Sequence, residues 1–379
     1  MIEPKNNLAP STPFFNEQLT AFEIWLDFGG RKDESPMYLP ILLQVLLSQN
    51  RLRALLLLKK YLDLGPEAVN LSLIVGICPY ITKLLQRPST DIRNVLVSIW
   101  AHVIGFDPQV HIDLVRDKGH THFIQFLLSK DMPMSQRCKS AFILAEICNG
   151  YYDGQQACLQ QGLYRACLTV LSSPAHSMLS SALFKRMVCL CLYKLLEKFT
   201  FAKYQCLTEP GEAGYVSLYP LLTDGDYVVR ACVVLALGEL FGASSLVQHP
   251  AASSLISSSS SGKSMYALKS GIPHSASTGN VKLMDQRVQL LEVRQQELQL
   301  ALQVLETCLD GSALVRKEAV IALSKFLDLP AHLGCIKIVA QGLQMISQRA
   351  AGKTPESKTP WYCIVRPFKV LTNFMPLSS

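Results

Sequence analysis

The chain has 379 residues, of which 49% are hydrophobic and 17% charged, and it carries a formal charge of +7. So apolar a composition requires a large buried surface and excludes an intrinsically disordered chain. The basic excess is scattered singly or in pairs, as at Arg51, Arg53, Lys59 and Lys60, rather than gathered on a stripe, so nucleic acid is not an expected partner.

The chain opens with MIEPKNNLAPSTPFF, which lacks the basic-then-apolar layout of a secretion signal. The longest apolar runs, such as LSLIVGICPYI (71–81), are too short to span a bilayer, so a cytosolic protein without direct membrane insertion is expected. The first helix signal is Thr12 followed by Pro13, a proline suited to a first turn, with Phe14, Phe15, Phe22 and Trp25 expected in the core. STDIRNVLVSIWAHV (89–103) places Ile92, Val95, Leu96, Ile99, Trp100 and Val103 on one helical stripe. QVHIDLVRDKGHTHFIQFLLS (109–129) has helical spacing on both sides of DKG, with Gly119 expected to end the first of two helices. MSQRCKSAFILAEIC (134–148) and LFKRMVCLCLYKLL (183–196) repeat the pattern, and the twelve cysteines fall in such apolar runs, as buried reduced thiols would.

LLTDGDYVVRACVVLALGEL (221–240) returns as CLDGSALVRKEAVIALSKF (308–326), with Asp224 and Asp310, Arg230 and Arg316, and Ala236 and Ala322 all 86 residues apart. Val229, Cys232, Val233, Ala236, Leu237 and Leu240 form one helical stripe. A basic residue just after the first apolar position recurs at Arg93, Arg137, Lys185, Arg230 and Arg316, in steps of 44, 48, 45 and 86. A unit of about 40–47 residues made of paired or tripled helices is the signature of HEAT and armadillo arrays. The expected fold class is therefore all-α, an α-solenoid of armadillo/HEAT-type repeats. The long step contains a Ser-rich stretch (249–282) whose composition does not support its own ordering, so it reads as a flexible insertion inside one repeat. The expected organisation is a solenoid over 8–248, the insertion over 249–282, a terminal helical repeat over 283–345 and an unassigned, disordered tail over 346–379.

STPFFNEQLTAFEIWLDFG (11–29), LPILLQVLLSQNRLRALLLLKKYLDLGPEAV (39–69), LSLIVGICPYITKLLQ (71–86) and GQQACLQQGL (154–163) resemble the Raptor family, the regulatory-associated subunits of TOR complex one. The resemblance covers roughly residues 8–250 and 295–327 and implies the armadillo/HEAT region of that family, without its caspase-like and β-propeller domains. It further implies a non-catalytic scaffold that contacts the TOR kinase, a Rag-type GTPase heterodimer, other protein partners and TOR substrates. The location so implied is cytoplasmic, with recruitment to the lysosomal or vacuolar surface through partners. The GTPase-facing edge would follow the turns at FTFAKY (199–204), GASSL (242–246) and DLPAH (328–332), which makes Lys203, Tyr204, Ser244 and Ser245 candidate partner-binding residues.

Catalytic signals are weak. SSSSSGKS (257–264) has Ser257 where a phosphate-binding loop needs glycine, and a serine run where it needs an apolar strand. QACLQ (156–160) lacks the glycine that follows a caspase nucleophile, so Cys158 reads as structural. His102, His111, His120 and His122, with Asp113 and Asp117, fit no zinc-ligand spacing. No catalytic residue, cofactor or metal is expected. The recurrent charges Arg93, Arg137, Lys185, Asp224, Arg230, Asp310 and Arg316 read as a structural ladder between repeats, with a groove for an acidic partner as the other reading. A cargo- or peptide-binding armadillo adaptor unrelated to TOR is the alternative function. Such arrays carry Trp-Asn pairs, and none of Trp25, Trp100 and Trp361 is followed by Asn.

Overall fold

The computed structural model describes residues 13–28, 51–86, 89–107, 109–172, 181–209, 214–248, 278–327 and 344, with the backbone alone for 278–287. Residues 249–277 of the Ser-rich stretch, the phosphate-loop mimic, Thr12, the DLPAH turn and the tail lie outside them, whereas 278–282, expected in the flexible insertion, are helical because they continue the helical pattern that follows. The described residues form helices joined by turns, with no strand among them. The fold is an all-α solenoid assembled from two compact units, 1–166 and 167–379, and the division falls inside one helix.

The first unit contains α1 (Pro13–Phe28), α2 (Arg51–Leu62), α3 (Pro66–Val75), α4 (Cys78–Leu85), α5 (Thr90–Phe106), α6 (Val110–Arg116), α7 (Gly119–Leu128), α8 (Met134–Cys148) and α9 (Tyr152–Gln160). Helix α10 (Leu163–Ser172) spans the division. Helices α2, α5 and α8 stand side by side, and the shorter helices α3, α4, α6, α7 and α9 pack against them. All six residues of the α5 stripe are buried, with Trp100 edge-on to Phe123 of α7 at 6.4 Å. Burying each such aromatic contributes roughly 2–3 kcal/mol, which a lone amphipathic helix could not recover from water. At the first helix, Phe22 is buried and packs beside Trp25 and Tyr61, whereas Phe14, expected in the core, is 52% exposed. Helix α1 buries Leu19 and Phe22, and Phe14 lies off that stripe, five residues before Leu19.

The turn between α6 and α7 also differs from expectation. The left-handed residue is Lys118, at φ 59°, and Gly119 begins α7 instead of ending α6. Glycine suits the close packing there: a Cβ on Gly119 would lie 2.2 Å from Leu114 Cδ1, so the buried Leu114 side chain would have to move.

The second unit contains α11 (Ala182–Leu196), α12 (Thr200–Thr208), a 3-10 segment (Tyr215–Thr223), α13 (Tyr227–Gly238), α14 (Ser244–Gln248), α15 (Thr278–Glu306) and α16 (Ala313–Leu327). Here α11, α13 and α16 form the row, while α12, α14 and α15 pack together beside it. The stripe from Val229 to Leu240 is buried throughout. Helices α13 and α16, which carry the two copies of the repeated phrase, are in direct contact. Gly238 makes their close approach possible, because a Cβ there would come within 2.6 Å of Ala322 Cβ.

Candidate functional site

The repeated phrase has a physical basis. In each copy an aspartate accepts from the backbone N–H two residues later: Asp224 from Asp226 at 2.9 Å, and Asp310 from Ser312 at 2.7 Å. In each copy the arginine six residues on donates back to the carbonyl of that aspartate: Arg230 to Asp224 and Arg316 to Asp310, both at 2.7 Å. Asp-Gly thus makes a tight turn, and the arginine pins it to its own helix. The carboxylate faces the preceding repeat. Lys185 Nζ donates to Asp224 at 2.7 Å, and Arg230 donates through Nε and Nη2 to both oxygens of Asp310 at 2.7 and 2.9 Å. Lys185, Asp224, Arg230, Asp310 and Arg316 therefore form one continuous relay across three helices.

These contacts tune the acids. The Arg230 hydrogen bond, opposed by burial, holds the Asp310 carboxyl below its usual range, and Asp310 in turn raises the Arg230 guanidinium. Burial pushes Asp224 up, but the Lys185 hydrogen bond, the Asp226 amide and the Lys185 charge together leave it lowered.

Arg93 and Arg137 depart from the ladder expected of them. Arg93 lies over the Phe126 ring, 5.4 Å from its centroid, and the 2%-exposed Arg137 donates from Nε to the Leu127 carbonyl at 2.9 Å. Asp131, six residues before Arg137 as Asp224 is before Arg230, is exposed. With Asp-Met-Pro in place of Asp-Gly-Asp, Pro133 supplies the start of α8, and the arginine turns inward.

The candidate partner-binding residues are not equally available. Lys203 donates to Glu239 at 3.1 Å and approaches the Phe241 carbonyl, leaving its side chain 13% exposed. Ser244 is buried, and its amide donates to Glu297. Ser245 is half-buried and its hydroxyl donates to the Gly242 carbonyl at 2.6 Å. Tyr204 is half-buried, and burial followed by the nearby Glu292 raises its phenol. Tyr204 and Ser245 thus retain some exposed surface, whereas Lys203 and Ser244 are committed to internal contacts, because two buried carboxylates draw them in.

Those carboxylates escaped the sequence reading. Glu239, 5% exposed, receives both Lys203 and Lys325, the latter standing 86 residues on in the equivalent position of the next repeat. Glu297 is fully buried and accepts from the amides of Gly242 at 2.9 Å and Ser244 at 3.1 Å. It ties α15, which follows the Ser-rich stretch, to the chain that precedes it. Asp226 caps α13 by accepting from Val228 and Val229, and it also receives Arg186. Cys158 is buried within α9, and no group of three or more metal-ligating side chains occurs among the described residues.

A Dictyostelium discoideum raptor homolog is 49% identical over 233 residues, which is 61% of this chain and 15% of that protein. The Arabidopsis thaliana regulatory-associated protein of TOR 1 is 46% identical over 243 residues, covering 63% of this chain and 18% of its own length. The crystal structure of Chaetomium thermophilum Raptor superposes with a TM-score of 0.57 at 27% identity, across 92% of this chain and 33% of that one. The chain is a relative of the Raptor proteins. It spans between 15 and 18% of the length of the two curated Raptor-type relatives above. No family model matches it.

Proposed function

We propose that the chain is a non-catalytic solenoid scaffold of TOR complex one, docking the TOR kinase and a Rag-type GTPase heterodimer in nutrient-responsive signalling. The observation that carries this reading is the identity of 46–49% over more than 230 residues to proteins named for Raptor and TOR. A relay of ion pairs running from repeat to repeat is consistent with it, since a rod that presents several partners must hold its ridges in register. In this reading the protein is cytoplasmic and reaches the lysosomal or vacuolar surface through its partners. The described helices include none long and apolar enough to cross a membrane alone.

The GTPase edge is assigned to the α12–α14 side of the second unit, centred on Tyr204 of α12 and including Ser245 of α14. The test is size-exclusion co-elution of the purified chain with a Rag heterodimer loaded in each nucleotide state. Co-elution in one state, weakened roughly tenfold by Tyr204→Ala with the thermal midpoint retained, supports the assignment. Separate elution in both states removes the GTPase claim and leaves the kinase as the partner to examine.

A further inference from the structure

The first unit contains two buried imidazoles for which the scaffold reading has no use. His111 on α6 is 8% exposed and His120 on α7 is 3% exposed, and in each ring Nδ1 is buried without a hydrogen-bond partner. The His111 ring stacks on Tyr151 with centroids 4.6 Å apart. In the neutral form with the proton on Nε2, an unpartnered Nδ1 is only a lone pair. Protonation converts it into a donor with no acceptor and places a positive charge in the core.

The surroundings give that charge little relief. His120 faces His122 and Lys118, both of which would repel it. His111 faces Glu146 of α8 and Asp107 before α6, whose attraction is outweighed by burial. From α8, Arg137 is held by Leu127; from α5, Arg93 lies over Phe126. Cys78, at the start of α4, lies near Asp113 and Asp107, while Lys83 of α4 and Asp153 of α9 are exposed. The α6–α7 pair is short, with 7 and 10 residues, and turns on a left-handed lysine.

We infer that the α6–α7 hairpin is an acid-labile element, which protonation of His111 and His120 loosens while the second unit stays closed. The inference rests on the first unit alone and stands whether or not the scaffold reading does. The sign follows from burial. An imidazole lowered from 6.5 in the folded chain takes its proton mainly when the hairpin opens. Stability is thus complete above about 6.5 and is lost as pH falls from there toward the folded value. The second unit titrates differently, because its ladder acids are lowered from 3.8 and respond only to much stronger acid.

Hydrogen exchange of the full chain at pH 7.5 and 5.5, corrected for intrinsic rates, tests this directly. Protection of residues 110–128 should fall by up to about tenfold for each imidazole, while 227–238 and 313–327 hold theirs. The double variant His111→Phe/His120→Leu should flatten the response, whereas His102→Gln should leave it intact. Loss of protection in both units together, or a response that survives the double variant, overturns the inference. If the double variant does not fold, proton titration of the wild-type imidazoles decides: values for His111 and His120 at or above 6.5 in the folded chain overturn it, and values below support it.

Discussion

Arg230 binds two turns at once: it grips both carboxylate oxygens of Asp310 at 2.7 and 2.9 Å and holds the carbonyl of Asp224 at 2.7 Å. Lysine can keep the charge but not this fork. Arg230→Lys should lower the unfolding free energy by about 1–2 kcal/mol, since a partly buried bidentate pair is broken. A double-mutant cycle with Asp310→Asn should give a coupling of about 1 kcal/mol. Additive single effects would show that the pair contributes nothing to holding the repeats together.

Acid should dismantle that pair within a defined window. Asp310 and Asp224 are lowered from 3.8 in the folded chain, so the unfolded carboxylates take protons first as pH drops. Their contribution is full above about 4 and disappears as pH falls through the folded values. The midpoint of the second unit should therefore hold between pH 7 and 5 and drop below 4. Asp310→Asn should blunt that drop, which circular dichroism melts at half-unit pH steps will reveal.

Gly238 offers a steric test. Its added Cβ would meet Ala322 Cβ at 2.6 Å and Ala322 Cα at 3.2 Å, where α13 packs on α16. Gly238→Ala should destabilise by about 1–3 kcal/mol despite alanine's better helix propensity, because the backbone of α16 must shift. Ala322→Gly should restore part of the loss. An increase in stability for Gly238→Ala would mean that the two helices can separate without cost.

Glu297 anchors the base of the Ser-rich stretch. Glu297→Gln keeps an acceptor but removes the charge, while Glu297→Ala leaves the amides of Gly242 and Ser244 facing an empty volume. The expected losses are about 1 and about 2–3 kcal/mol respectively. In Glu297→Ala, exchange should rise first at residues 242–248. Uniform change across the second unit would argue against a local clamp.

The helices were legible wherever burial repeats at helical spacing. Residues 134–148, read as a helix from their period, form α8 over Met134–Cys148, and every residue of the stripes beginning at Ile92 and Val229 is buried. The 86-residue return was also legible as a repeat, because Asp-Gly-x4-Arg prescribes a turn and its lock. What the sequence concealed was direction. Asp224 and Arg230 read as partners, yet their bond runs through the main chain, and the Asp224 carboxylate reaches Lys185 of another helix. Glu239 and Glu297 gave no sign either, since a single glutamate in a helical run normally faces water. Only the arrival of Lys325 and of two free amides explains their burial. The same two acids withdraw Lys203 and Ser244 from the surface on which the Raptor resemblance had placed them.

The central claim is that this chain serves TOR complex one as a docking scaffold. Its most direct test is to express the tagged full chain in cells and measure whether the TOR kinase is retained on it after washing at physiological salt. The account predicts retention, together with its loss for a variant carrying Arg230→Ala and Asp310→Ala if the ladder keeps the ridges in register. A folded, helical chain that retains no TOR kinase would contradict it.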